Sequence, residues 1–157
     1  MASKRFAFRP RYRGIALTSI GVGGTLGVVA IASLGAAILP VATAAMGIVL
    51  GAGYLMSPSW KLEVVTDDDA LEVRSPKASK FRLPWSEVVK VVSSPTTHTC
   101  FVDGGEPARS LLVPGDGAPA PYDLVDKQAL CEEILRHVTP DKVETVENLS
   151  AKRDVSV

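Results

Sequence analysis

The feature that most constrains this chain is an uncharged segment at residues 14–60, 47 residues without a Lys, Arg, His, Asp or Glu. A membrane-spanning helix needs about 20 apolar residues to cross a hydrocarbon core roughly 30 Å thick. One straight helix over residues 15–56 would be about 63 Å long, and tilting cannot absorb that excess. A cleaved signal peptide has an apolar region of only about 7–15 residues. The segment therefore predicts two spans rather than one.

We place the two predicted spans at residues 14–36 and 41–56, with Gly35 and Pro40 framing the turn between them. Proline lacks a backbone donor and disfavours helix at the residue before it. Two alternatives stay open. One is a single helix kinked at the proline, which its length disfavours. The other is a re-entrant hairpin that dips into the bilayer without crossing, because the second span is short and the turn is apolar.

Both predicted spans are rich in small residues, and each contains a GxxxG pair, Gly23 with Gly27 and Gly47 with Gly51. Small residues let two helix backbones approach closely inside a membrane. The simplest use of these glycines is packing one span against the other. Docking against another membrane protein is the alternative use.

The charge pattern around the uncharged segment predicts the orientation of the protein. Five basic residues precede the first span and no acidic residue accompanies them: Lys4, Arg5, Arg9, Arg11 and Arg13. Basic residues beside a span favour the cytoplasmic side, so the N-terminus is predicted to be cytoplasmic. A hairpin returns the chain to that side, which makes the residues after Trp60 cytoplasmic as well. Tyr12, Tyr54 and Trp60 suit the aromatic belt of a membrane interface.

From residue 61 onward the chain alternates in short β-like stretches. Six such stretches are KLEVV, ALEVRS, KFRLP, EVVKVVSS, THTCFV and RSLLVP, which predicts about six or seven strands. Residues 124–138 then switch to helical periodicity, with Asp123 or Asp126 as the predicted N-terminal cap. Residues 61–157 carry 12 Lys/Arg and 17 Asp/Glu. This acidic balance does not suit nucleic-acid binding.

No motif in the sequence supports catalysis, a bound metal or a cofactor. Asp67, Asp68 and Asp69 lie together, but they lack EF-hand spacing and suit a solvated turn. His98 and Cys100 would share one face of a strand, so a Cys/His enzyme is the least favoured hypothesis. Cys100 and Cys131 show no zinc-ligand spacing, and whether they are ever bridged stays open.

The stretch LEVRSPKASKFRLPWSEVVKV, residues 71–91, resembles the signature of bacterial pleckstrin-homology (PH) domain membrane proteins. The matching positions are Leu71, Val73, Arg74, Arg82, Pro84, Trp85, Ser86, Glu87 and Val88. FRPRYR before the first span is also similar, whereas Ala70 replaces the usual turn glycine. The resemblance implies a two-span hairpin followed by a PH-like seven-stranded bent barrel or sandwich that a C-terminal helix caps. It implies little about activity.

Together these patterns predict four regions. They are a basic cytoplasmic N-terminus at residues 1–13, a transmembrane hairpin at 14–59, a PH-like domain at 60–140 and a charged flexible tail at 141–157. The predicted protein is a bacterial inner-membrane protein and a non-catalytic binding or scaffolding module, such as an accessory subunit of a membrane complex. Its predicted partners are the bilayer and either another membrane protein or a second copy of the chain.

Two hypotheses concern sites on the predicted β domain. Basic residues between residues 74 and 82 could contact an anionic lipid surface: Arg74, Lys77, Lys80 and Arg82. Specific phosphoinositide binding is disfavoured, since the first hairpin turn is acidic and would repel phosphates. Trp85 is either a core aromatic or an anchor for a bound peptide.

Overall fold

A computed structural model describes residues 3–34, 38–147 and 149 of the chain. These residues divide into two compact units. Residues 10–60 form one of them, called the helical unit below. The other, called the β unit, combines the N-terminal residues up to Arg9 with those from Lys61 onward.

The helical unit is an antiparallel pair of helices, α1 (Arg13–Leu34) and α2 (Ile38–Leu55). At 1.5 Å per residue their lengths are about 33 Å and about 27 Å, close to the thickness of a hydrocarbon core. Pro40 does not lie in the turn, as the sequence predicts, but in the first turn of α2. A proline costs little there, because the first backbone N–H groups of a helix have no partner within the helix. Gly35 lies outside the described residues.

The β unit contains nine strands in its described residues. They are β1 (Lys4–Pro10), β2 (Glu63–Thr66), β3 (Ala70–Arg74), β4 (Ser79–Pro84), β5 (Lys90–Ser94), β6 (Thr99–Asp103), β7 (Leu111–Val113), β8 (Tyr122–Leu124) and β9 (Val143–Thr145). One helix, α3 (Lys127–His137), follows β8. Short 3-10 turns lie at Pro58–Lys61, Trp85–Glu87, Pro107–Arg109 and Pro140–Lys142.

The strands form two sheets with the orders β4-β3-β2-β1-β8 and β7-β6-β5-β9. The inner faces of both sheets and one side of α3 enclose a single core, in which Leu71, Val102 and Ile134 are fully buried. A mainly-β domain with a helix against its core is thus confirmed. The described strands are two sheets and not a closed barrel, so the seven-stranded bent barrel stays a prediction.

The first strand is the main departure from the sequence-based boundaries. The sequence predicts a separate basic segment at residues 1–13, but β1 pairs with β2 and lies between β2 and β8. Phe6 of β1 is 5% exposed and lies opposite Val64. The alternation of Phe6 and Phe8 with Arg5, Ala7 and Arg9 is a strand pattern that the strongly basic composition obscured.

The C-terminal boundary differs as well. The predicted flexible tail begins at residue 141, yet β9 pairs in parallel with β5, with Val143 opposite Val91. Lys142 donates hydrogen bonds to the carbonyl oxygens of Ser86 and Val88. The rest of the predicted tail, residue 148 and residues 150–157, lies outside the described residues.

The C-terminal helix is confirmed, and one of its two predicted caps, Asp126, lies at the N-cap. Asp126 occupies the N-cap position in a left-handed conformation, φ 53°, and its side chain makes no capping hydrogen bond. The Asp123 carboxylate accepts hydrogen bonds from the Leu124 N–H and from Arg9 instead. Of the apolar residues with the predicted helical periodicity, Leu130, Ile134 and Val138 are buried, whereas Val125 and Leu135 are exposed.

Candidate functional site

An apolar coat covers the helical unit. Among the described residues, all large hydrophobic side chains with substantial exposure belong to this unit except Val89, Val125 and Leu135. Val28 is 69% exposed and Leu50 is 66% exposed, although both lie in the middle of their helices. A soluble helix hairpin would bury such a coat against other protein. By length and composition, both helices could therefore cross a membrane.

The four glycines of the GxxxG pairs lie where α1 and α2 touch. A methyl group built on Gly23 would lie 2.8 Å from the Ala44 carbonyl oxygen, and one on Gly51 would lie 2.8 Å from that of Ala16. The corresponding positions on Gly27 and Gly47 lie 3.5 Å from Ala44 Cβ and 3.4 Å from the Ser19 carbonyl oxygen. These glycines thus serve the close approach of the two helices within the chain.

Three aromatic residues gather at the open end of the hairpin. The Tyr12 N–H donates a hydrogen bond to the Tyr54 hydroxyl at 3.0 Å. The Tyr54 and Trp60 rings meet edge to face with centroids 5.0 Å apart. The indole N–H of Trp60 donates to the Tyr54 carbonyl oxygen. Tyr12 thus meets Tyr54, which lies 42 positions later in the chain, and the three residues form a group of the kind found at membrane interfaces.

Both chain connections to the hairpin leave the β unit from neighbouring strands. Ala7 of β1 lies opposite Glu63 of β2, and the Phe8 N–H donates a hydrogen bond to the Leu62 carbonyl oxygen at 3.0 Å. Only Arg11 and Tyr12 separate β1 from α1. The apolar hairpin is thus an insertion between two paired strands.

Two ion pairs hold β1 to the C-terminal half of the β unit. Lys4 Nζ lies 2.6 Å from a carboxylate oxygen of Glu133 on α3. Arg9 Nη2 lies 2.7 Å from a carboxylate oxygen of Asp123. The hydrogen bond from Lys4 holds the pKa of Glu133 below its usual range. Burial raises the pKa of Asp123, but hydrogen bonds from Arg9 and the Leu124 N–H outweigh it and lower that pKa. The partners of Lys4 and Arg9 lie more than 110 positions away, so no local sequence pattern indicates this role of the basic N-terminal residues.

The four basic residues of the predicted lipid contact have different surroundings. Arg74 Nε lies 2.7 Å from a Glu63 carboxylate oxygen, and Arg82 Nη2 lies 3.1 Å from one of Asp67. Lys77 and Lys80 are exposed, and no carboxylate in the described part of the chain pairs with either. The two arginines are therefore paired with carboxylates, whereas the two lysines are not.

The acidic turn at residues 67–69 connects β2 and β3, as predicted. One Asp67 carboxylate oxygen accepts hydrogen bonds from the N–H groups of Asp69 and Ala70. Arg82 contacts the other carboxylate oxygen. Burial raises the pKa of Asp67, but these hydrogen bonds outweigh it and the pKa falls below its usual value. The Asp67 carboxylate thus stabilises its own turn. The described residues contain no cluster of His, Cys, Asp and Glu suited to a metal ion.

Trp85 lies inside the β unit and is 8% exposed. Its indole N–H donates to the Asp67 carbonyl oxygen at 2.9 Å, and its ring stacks on that of His137 with centroids 4.9 Å apart. The side chain therefore fastens the end of α3 to the acidic turn. Such burial fits the core interpretation and leaves little of the ring for a bound peptide.

The pairing of His98 with Cys100 that their spacing predicts is not seen. His98 precedes β6 in a left-handed conformation, φ 53°, and its Nδ1 lies 3.4 Å from an Asp116 carboxylate oxygen. Cys100 is fully buried in the core with Cys131. A hydrogen bond to Cys131 and burial raise the pKa of the Cys100 thiol, which disfavours a reactive thiolate. Both cysteines are free thiols in this structure.

Comparison with known proteins gives no match, whether to a family model, a curated protein or a solved structure.

Proposed function

We propose that this chain is a membrane-anchored, non-catalytic binding protein. Its two-helix hairpin crosses a bacterial inner membrane twice and holds a PH-like β domain at the cytoplasmic face. There the domain binds another membrane protein or a second copy of the chain, as an accessory or scaffolding subunit would.

The observation that carries the anchoring proposal is the insertion of an apolar hairpin between two paired strands. Because Ala7 lies opposite Glu63, the chain leaves the β unit and returns to it at one end of one sheet. Such a hairpin crosses a bilayer an even number of times. A single span would place β1 and β2 on opposite sides of the bilayer, which is incompatible with their pairing.

The composition around the hairpin supports the cytoplasmic orientation. Arg13 is the first residue of α1 and Arg11 lies two residues before it, and both belong to the basic group that favours the cytoplasm. Lys4 and Arg9 also belong to that group but take part in ion pairs within the β unit. The same residues thus contribute to orientation and to folding.

A binding role fits a domain in which the side chains considered for catalysis or metal binding have structural roles. The Cys100 thiol is buried, and the Asp67 carboxylate stabilises a turn. The four glycines of the GxxxG pairs pack within the hairpin, so a partner would contact other residues of the chain. The Cys/His enzyme alternative predicts that a Cys100→Ser variant loses the cellular phenotype, whereas the binding proposal predicts that it keeps it.

Fractionation tests the anchoring half of the proposal. We expect the full chain to stay in the membrane pellet after alkaline carbonate extraction. A fluorescent reporter fused after Val157 should be active in the cytoplasm, and a phosphatase that needs the oxidising side should be inactive at the same position. Carbonate-soluble protein or the reverse reporter pattern would refute it.

Purification tests the binding half. The tagged full chain is extracted from its own membranes in a mild detergent, and its mass and co-purifying proteins are determined. A stoichiometric membrane partner or a homo-oligomer is expected. Recovery as a lone monomer, both in detergent and after cross-linking in intact membranes, would refute the binding role.

A further inference from the structure

The two ends of the five-stranded sheet carry opposite charge. Glu63 lies opposite Ala7 on one side and opposite Arg74 on the other, and Arg74 lies opposite Ser79. These pairings place the β3–β4 turn, residues 75–78, at the end where the chain continues into the helices. We call this the linker end. The acidic β2–β3 turn, residues 67–69, lies at the opposite end of the same strands.

Three lysines at the linker end have no neutralising partner. Lys61 lies two residues before the start of β2, Lys77 lies in the β3–β4 turn, and Lys80 follows Ser79 in β4. All three are exposed, and none forms an ion pair with a described residue. The nearby Glu63 and Asp123 carboxylates are already paired with Arg74 and Arg9. The linker end therefore carries a net positive charge.

The remaining basic residues of the 74–82 stretch do not share this property. Arg82 lies opposite Glu72 and reaches Asp67 in the acidic turn. Its charge is therefore directed to the other end of the sheet and is compensated there. The side chain of Arg74 donates a hydrogen bond of 2.7 Å to the Glu63 carboxylate.

We propose that Lys61, Lys77 and Lys80 bind the anionic lipid headgroups of the leaflet from which the hairpin enters the bilayer. This inference rests on the proposed function, since it requires the hairpin to be in the membrane. Only Arg11 and Tyr12 connect the end of β1 to α1. The linker end is therefore the end of the sheet from which the chain continues into the proposed membrane helix. Ammonium groups on flexible stems suit headgroup phosphates without demanding a specific lipid.

The expected contribution is sizeable for three side chains. A basic residue near an anionic leaflet favours the surface-bound state by about fivefold, the equivalent of about 1 kcal/mol. Two lysines together should therefore shift the equilibrium between bound and free orientations of the β unit by roughly 25-fold. The effect should weaken with salt, because the Debye length falls from about 10 Å at 0.1 M to about 3 Å at 1 M.

The test uses the full chain reconstituted into vesicles of phosphatidylcholine alone or with added phosphatidylglycerol. Ala78→Cys places an environment-sensitive fluorophore in the β3–β4 turn, and Asp68→Cys places it in the acidic turn as a matched control. Both native cysteines are buried and should not take the label. Lipids with a nitroxide headgroup report the proximity of the fluorophore to the bilayer surface by quenching.

We expect quenching at residue 78 to rise with the anionic lipid, and to fall in 1 M salt and in the Lys77→Gln/Lys80→Gln variant. Arg5→Gln, an exposed residue of β1 nearer the other end of the sheet, should leave it unchanged. Equal quenching in neutral and anionic vesicles, or no effect of the lysine substitutions, would overturn the inference. Carbonate extraction of the same samples separates this failure from loss of anchoring, since only the latter releases the protein.

Discussion

Ala7 of β1 and Glu63 of β2 lie directly opposite each other, although the whole helical hairpin separates them in the chain. This pairing makes the N-terminal strand part of the β domain and closes the hairpin at its base. Folding of the β unit therefore requires both sides of the hairpin to be present in the same compartment.

The core role of β1 predicts that Phe6→Ala destabilises the β unit by about 3 kcal/mol or more, the usual range for a buried phenylalanine. Phe6 is 5% exposed and lies in the core with Val64. Urea unfolding of the detergent-solubilised full chain, followed by tryptophan fluorescence, measures the change. Arg5→Ala in the same strand is the control, since Arg5 is exposed and should change stability little. Equal stability of Phe6→Ala and the parent protein would show that β1 contributes nothing to the core.

The glycine contacts predict a position-specific effect inside the hairpin. Gly23→Ala and Gly51→Ala would each bring a methyl group to 2.8 Å from a backbone carbonyl oxygen. The helices must then move apart, at a cost of about 1–3 kcal/mol for overpacking. The sodium dodecyl sulfate concentration at which the hairpin unfolds should therefore fall.

Two glycines in the same helices provide the matched controls for that experiment. Gly24 and Gly53 have open space where a methyl group would go. Alanine there should be neutral or stabilising, because alanine is the better helix former. If all four variants behaved alike, the packing of α1 on α2 would not depend on close approach at these positions.

The ion pairs of β1 predict acid sensitivity. Hydrogen bonding from Lys4 lowers the pKa of Glu133 below 4.5, its ordinary value. A carboxylate with a depressed pKa stabilises the folded state above its unfolded-state pKa, and this stabilisation is lost as the pH falls through the folded-state pKa. The urea midpoint of the parent protein should therefore decrease as the pH is lowered from 6 to 3.

Glu133→Gln tests this assignment. The variant should be less stable than the parent at pH 6, and the difference should shrink as the pH is lowered, because the parent carboxyl then becomes protonated too. Lys4→Met should behave in the same way, because it removes the other partner of the pair. A constant difference across the pH range would assign the effect to packing of the side chain rather than to its charge.

The buried thiols predict low chemical reactivity. Cys100 is fully buried and its pKa is raised, so iodoacetamide at pH 7.5 should not modify it in the folded protein. Both cysteines should react after unfolding in dodecyl sulfate, as mass spectrometry would show. Rapid modification of Cys100 in the native state would contradict this prediction and favour the enzyme hypothesis.

Local patterns were sufficient for much of the fold. The uncharged length of residues 14–60 predicts two helices, and α1 and α2 are present. Period-two alternation predicts the six strands from β2 to β7, and the acidic turn joins the first two of them as expected. Each of these features depends on residues that are neighbours in the chain, so a short window of sequence contains the information.

Strands with distant partners were the ones that the patterns missed. β8 and β9 are three residues each and pair with β1 and β5, which lie far from them in the chain. β1 shows alternation, but its role depends on a partner beyond the hairpin. The predicted lipid contact also depends on a partner elsewhere in the chain. Lys77 and Arg82 look equivalent in sequence, and only the ion pair of Arg82 with Asp67 distinguishes them.

The sequence by itself determined the apolar hairpin, the basic residues before it and the alternating strands after it, because hydrophobic length, charge and periodicity are local properties of the chain. Tertiary structure decided that the N-terminal strand completes the sheet, that Trp85 and Cys100 are buried, and that Lys61 lies at the same end as Lys77. These outcomes depend on strand register and on ion pairs between residues that are distant in the chain. Such contacts contribute free energy only once the chain has folded.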